Sequence, residues 1–170
     1  MSRVERHLVY LRELDSIIVH DQVRTTDAGY TKKWLLHSWN KPVSQEEELL
    51  AGKVGNGILQ TRDQQVLISN KNARLRVSRL LPEDGVIRKV GGPDYRYYVE
   101  VDGDDSDLDG RNMVSGAEER PWFDAGMWRI EIQPQEERSY DEFLVLLQPS
   151  LAGQPEPPPG ERLQAGPATG

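Results

Sequence analysis

Residues 101–110, VDGDDSDLDG, place five aspartates within ten positions. Asp105, Asp107, Asp109 and Gly110 follow the D-x-D-x-D-G spacing in which three carboxylates converge on one calcium ion and a glycine makes the tight turn. The match then ends: position twelve would be Gly116 rather than a bidentate glutamate, and the flanks have strand and loop character rather than helical character. The spacing leaves two readings, a weak peripheral calcium site at Asp105, Asp107 and Asp109 or a solvated acidic loop. A second carboxylate stands out by its position. In SIIVHDQV (16–23), period-two alternation puts Asp21 on one face with Ile17, Val19 and Val23. A carboxylate on an apolar face needs a cation, a metal or N–H donors. Lys33 and His37 would share that face if the following strand pairs with this one without a bulge. Otherwise Asp21 is a structural, hydrogen-bonded residue near a strand end. Among the aromatic residues, Trp39 and Trp122 fall in loop-like contexts and are expected outside, where they could stack on sugar rings. The strand aromatics Tyr10, Trp34, Tyr97, Tyr98 and Trp128 are expected in the core.

Composition bounds the rest. The chain has 170 residues, 21 basic against 28 acidic, for a net charge of −7. That length suits one domain with one real core, and that charge argues against a general binder of nucleic acid. The absence of cysteine excludes disulfides, thiolate metal sites and a cysteine nucleophile. Met1 is followed by SRVERHLVYLRELD, which has no apolar run of signal-peptide length, and no later stretch approaches the roughly 20 apolar residues of a membrane span. A soluble chain that stays where it is made, with no membrane partner, is expected.

The elements that must position these residues have period two. Candidate strands are residues 6–11, 16–23, 31–38, 65–69, 73–80, 85–91, 95–102, 126–133 and 142–148, separated by Gly, Pro, Asn and Asp clusters. SQEEELLAG (44–52) has helical composition and also suits a solvated loop. From Pro149 the chain holds six of its eleven prolines, which predicts a disordered or polyproline-like tail over 149–170. About nine short strands with closely spaced turn signals predict an all-β fold, an antiparallel β-sandwich or barrel, over residues 3–148.

Three blocks in order carry a likeness: LVYLRELDSIIVHDQVRTTDAGYTKKWLLHSWNKP, then ARLRVSRLLPEDGVIRKVGGPDYRYYVEVDG, then GMWRIEIQPQEERSYDEFLVLLQP. Together they resemble the C-terminal β-sandwich domain of heparinase II/III-like polysaccharide lyases, over most of residues 5–149. The resemblance implies the sandwich half of a two-part enzyme in which a helical α/α-toroid domain, in cis or in trans, supplies most of the active site. The reaction is β-elimination on a uronic-acid-containing glycan such as a glycosaminoglycan or alginate, with Tyr and His as typical catalysts. It also implies a bacterial, exported parent enzyme, at odds with the leaderless start of this chain. On this resemblance the 170 residues are expected to lack the toroid and a counterpart of the family's catalytic histidine, so no catalytic residue is assigned and the isolated chain is expected to be inactive. Some relatives are similar in holding a structural metal by His and Asp in this domain; here Asp21 and His37 would be two of the three or four ligands that zinc takes, and no third can be named. No cofactor follows with certainty. The alternative is a stand-alone carbohydrate-binding or assembly module. An exposed aromatic platform would favour the module, and a large apolar patch would favour the docked half-enzyme.

Overall fold

In a strand, one face takes every second side chain, and residues 16–24 show the consequence: Val19 and Asp21 are buried while Arg24 is exposed. The computed structural model describes residues 2–100, 109–113, 126–155 and 157–160. It contains strands β1 (Arg3–Leu11), β2 (Ser16–Arg24), β3 (Trp34–Ser38), β4 (Glu48–Lys53), β5 (Asn56–Thr61), β6 (Gln65–Asn70), β7 (Ala73–Leu81), β8 (Val86–Gly91), β9 (Trp128–Gln133) and β10 (Tyr140–Leu151). They form two five-stranded antiparallel sheets, sheet A in the order β1-β2-β10-β7-β6 and sheet B in the order β3-β9-β8-β5-β4. The fold is an all-β sandwich.

Its core is built from the facing rows of the two sheets. Val19, Val66, Ile68, Val77, Phe143 and Val145 of sheet A meet Trp34, Ile87, Ile130 and Ile132 of sheet B. Branched side chains suit this layer because they fill a pleated face with little rotamer freedom to lose. Lys89 also lies on the inner face of sheet B, fully buried. It is tolerated because its ammonium donates to Ser44 Oγ at 2.6 Å and to Glu47, which ties the segment before β4 across the end of the core.

Three expectations are corrected. The stretch 44–52 is neither helix nor loop throughout: Glu48–Lys53 is a strand that forms a hairpin with β5, itself unforeseen. The fully buried Leu59 requires a paired strand here, and the glycines that hide the pattern are demanded by close approach. A Cβ on Gly57 would lie 2.2 Å from the Ala51 carbonyl oxygen, and Gly52 has φ of +75°. Residues 95–100 are not a strand but a turn with one bridge, Tyr98 to Asn112. Finally, the boundary at 148 is too early, since β10 runs through Pro149 and Ser150 to Leu151. The ladder from β10 to β2 ends at Leu147, so the missing N–H of Pro149 falls where β10 has become an edge on that side. Residues 157–160 then fold back on sheet A, where Gln148 Nε2 donates to the Pro158 carbonyl at 3.1 Å.

Phe143 is 1% exposed at the centre of this layer. Phe143→Ala is expected to lower the unfolding free energy by about 3–5 kcal/mol, read as a drop in the urea midpoint at unchanged slope.

Candidate functional site

Asp21 acquires its partner from the strand before it, not after it. The short connection Arg12–Asp15 folds β1 and β2 into a hairpin whose register sets Arg6 opposite Asp21. The guanidinium grips the carboxylate with two hydrogen bonds, Nε to Oδ1 at 2.7 Å and Nη2 to Oδ2 at 2.6 Å, a fork geometry that fixes both groups. The hydrogen bond to Asp21 raises the pKa of Arg6. Two of the five guanidinium N–H groups are used in this pair, and half of the Arg6 side chain remains exposed to a cleft of about 470 Å³.

The cleft lies at one end of the sandwich, between the β1–β2 hairpin and the segment 25–33 that crosses from sheet A to sheet B. Val4, Val23 and Phe143 give it an apolar lining, and Tyr30, 53% exposed, stands at its rim. Two lysines flank it. Lys32 is buried, with its ammonium donating to the carbonyls of Tyr30 and Arg138 and lying 3.2 Å from Asp141. Burial pushes the Asp141 carboxyl up, against the opposing pull of Lys32. Lys33 donates to Glu100 at 2.9 Å and lies 3.3 Å from Glu131. It thereby joins the cleft to a charged cluster on the outer face of sheet B, where Arg129 donates to Glu131 at 2.6 Å and Arg88 grips Glu100 through both terminal nitrogens. Burial alone would raise the Glu100 carboxyl, but the hydrogen bonds from Arg88 and Lys33 outweigh it and hold the group at about 2.

Next to the cleft the inner face of sheet A is uncovered. Leu8 pairs with Val19 and Tyr10 with Ile17 on the same side of the hairpin as Arg6 and Asp21. Val19 is buried under sheet B at 5% exposure, whereas Leu8 is 66% and Tyr10 57% exposed. Sheet B therefore covers β2 and stops short of β1. The result is an apolar patch of Leu8, Tyr10 and Ile17 contiguous with the cleft.

The expected site residues fare unequally. Lys33 reaches the cleft that Asp21 borders, but its ammonium is held by Glu100 and Glu131, and β2 and β3 lie in different sheets. His37 is correspondingly distant in environment: it projects from the outer face of edge strand β3, opposite Arg129. Partial burial and Arg129 lower its pKa. Asp21 faces inward on sheet A, so the two do not share an ion site, and among the described residues no group of three or more His, Asp or Glu side chains gathers to hold a metal. Asp109 sits in an exposed turn with Gly110 at φ +72°; Asp105, Asp107 and Trp122 lie outside the described residues. Trp39 is 51% exposed. Arg6 and Tyr30 were not singled out by sequence reasoning. Arg6 was within reach of it, because a four-residue connection after Leu11 implies a hairpin and hence the Arg6–Asp21 register.

The arrangement can hold an anion on Arg6 beside an apolar wall, with Asp21 orienting the guanidinium. Among the described cleft residues none is histidine, and Tyr30 is the phenol at hand. Comparison with known proteins gave no matching family model and no matching curated relative.

The Glu100 cluster has a measurable signature. Its folded-state pKa lies below the unfolded 4.5, so its stabilisation is complete above pH 4.5 and is lost as pH falls through about 2. Urea titrations between pH 6 and pH 2 are expected to show stability of the order of 3 kcal/mol disappearing over that interval, with Glu100→Gln flattening the dependence.

Proposed function

We propose that this chain is the accessory β-sandwich of a heparinase II/III-like polysaccharide lyase, acting with a helical α/α-toroid domain and contributing substrate contacts rather than the chemistry. The observation that carries this reading is the uncovered apolar face of β1, with Leu8 at 66% and Tyr10 at 57% exposure. Contiguous apolar surface that adjoins a core and is open to water favours a docking role. A helical domain seated there would form the second wall of the adjoining cleft.

The cleft chemistry fits that role. A uronate ring presents an apolar face and a carboxylate, and the cleft offers Val4, Val23 and Phe143 beside the unused donors of Arg6. Its volume lies within the range of about 300–1,000 Å³ common for ligand sites. In β-elimination a base removes the proton beside the uronate carboxylate while a cation stabilises the enolate. Arg6, oriented by Asp21, holds the uronate carboxylate as a substrate contact; the base, the acid and the group that stabilises the enolate come from the helical domain. The resemblance over residues 5–149 adds to this reading, since its Asp-ended strand and Trp-Leu-Leu-His strand are β2 and β3, and its final FLVLLQP is β10. A stand-alone glycan-binding module is the second reading, favoured by the exposed Trp39.

Elimination creates an unsaturated uronate that absorbs in the ultraviolet, so an absorbance assay on heparin, heparan sulfate and alginate separates the readings. The isolated chain is expected to be silent. With a purified α/α-toroid domain of such a lyase added, activity is expected to appear and to fall at least tenfold with Arg6→Ala. Activity from the chain alone would overturn the accessory role, and silence in both conditions would favour the glycan-binding module.

A further inference from the structure

The outer face of sheet A carries side chains that are more buried than an outer face should be. The polar Ser78 is 3% exposed and Gln148 6%, and the apolar Leu146 between them in the face is 9% exposed. The register aligns them in two neighbouring rows, Gln65–Ser78–Leu146 and Leu67–Arg76–Gln148. What lies over them is the proline-rich end of the chain. Arg76 donates to the Pro157 carbonyl and Gln148 Nε2 to the Pro158 carbonyl at 3.1 Å. Gly160 is set against Leu146 so closely that a Cβ there would fall 2.3 Å from its Cδ2.

A proline-rich segment can be held in this way, by donors to its carbonyls. Prolines have no N–H, so a surface that reads them must donate to their carbonyls and pack against their rings. Arg76 and Gln148 do the first on consecutive carbonyls. The face is also not exhausted by this occupant. Gln65 Oε1, Ser78 Oγ and Gln148 Oε1 are buried without a hydrogen-bond partner, and unsatisfied buried acceptors call for N–H donors that a run of prolines cannot give.

We propose that the outer face of sheet A is a binding site for an extended proline-rich peptide of a partner protein, one that alternates prolines with residues bearing N–H donors, and that residues 157–160 occupy it in cis. The tether is short: β10 ends at Leu151, and Ala152 donates its backbone N–H to the Asn72 carbonyl at 2.8 Å. A short tether gives an effective concentration in the millimolar range, so the segment acts as a competitor that a partner must displace.

The test uses the full chain with Pro157→Gly, Pro158→Gly and Pro159→Gly, positions that lie outside all ten strands, and a fluorescent peptide of sequence QPEPPPGE read by anisotropy. The freed chain is expected to bind the peptide at least tenfold more tightly than the unaltered chain, and Gln148→Ala in the freed background is expected to abolish the gain. Equal binding by the two chains, or a gain indifferent to Gln148, overturns the proposal. Self-association of the freed chain mixed with the unaltered one, seen by sedimentation at the same concentrations, assigns the face to a second copy and overturns the partner. Should the triple replacement prevent folding, the unaltered chain decides: millimolar peptide must shift the Gln148 side-chain amide resonance, and no shift refutes the site.

Discussion

The structure depends on how far one sheet covers the other. Both sheets have five strands, but among the described residues no strand of sheet B covers the inner face of β1 at Leu8 and Tyr10, and exposure rises from 5% at Val19 to 66% at its cross-strand neighbour Leu8. The inner face of β4, at the far edge of sheet B, shows the same pattern, with Leu49 44% exposed against the fully buried Leu59 beside it. A sandwich closed on itself would shed that apolar surface or cover it. Here it is retained along the same strand face that presents Arg6 to the cleft, so the apolar patch and the cationic cleft are parts of one surface.

Several of the charges that the sandwich buries are handled by pairing. Asp21 with Arg6, Lys32 with Asp141, Lys89 with Glu47, and Glu131 among Arg129, Lys33 and Arg88 each place an ionised group on or near the core with a partner within reach. Such pairs return little net stability because desolvation offsets attraction. Their value lies in position: the fork between Arg6 and Asp21 fixes the guanidinium at the lining of the cleft.

Much of the fold was legible because the alternation is local. β2, β6, β7, β8 and β10 are short runs rich in Val, Ile and Leu bounded by turn residues, and Asp21 appeared as the exception on the apolar face of one. The β4–β5 hairpin was hidden because its glycines, required by close approach at Gly52 and Gly57, dilute the pattern, and because a run of glutamates mimics helix composition. YRYYVEVD reads as a strand for the opposite reason, since its aromatic residues serve a turn that covers the outer face of sheet B. Sheet membership is not local at all. Nothing in TKKWLLHS says that it leaves sheet A, and for that reason Lys33 and His37 were assigned to Asp21 while Arg6, fifteen residues earlier, holds it.

Isothermal titration of the chain against the α/α-toroid domain of a heparinase II/III-like lyase tests whether the β1 face docks a helical domain, as proposed. Saturable binding is expected, with a negative heat-capacity change, the mark of apolar burial, and at least a tenfold loss of affinity for Leu8→Asp in a chain whose urea midpoint is unchanged. Binding that ignores Leu8→Asp, or no binding at all, would contradict it.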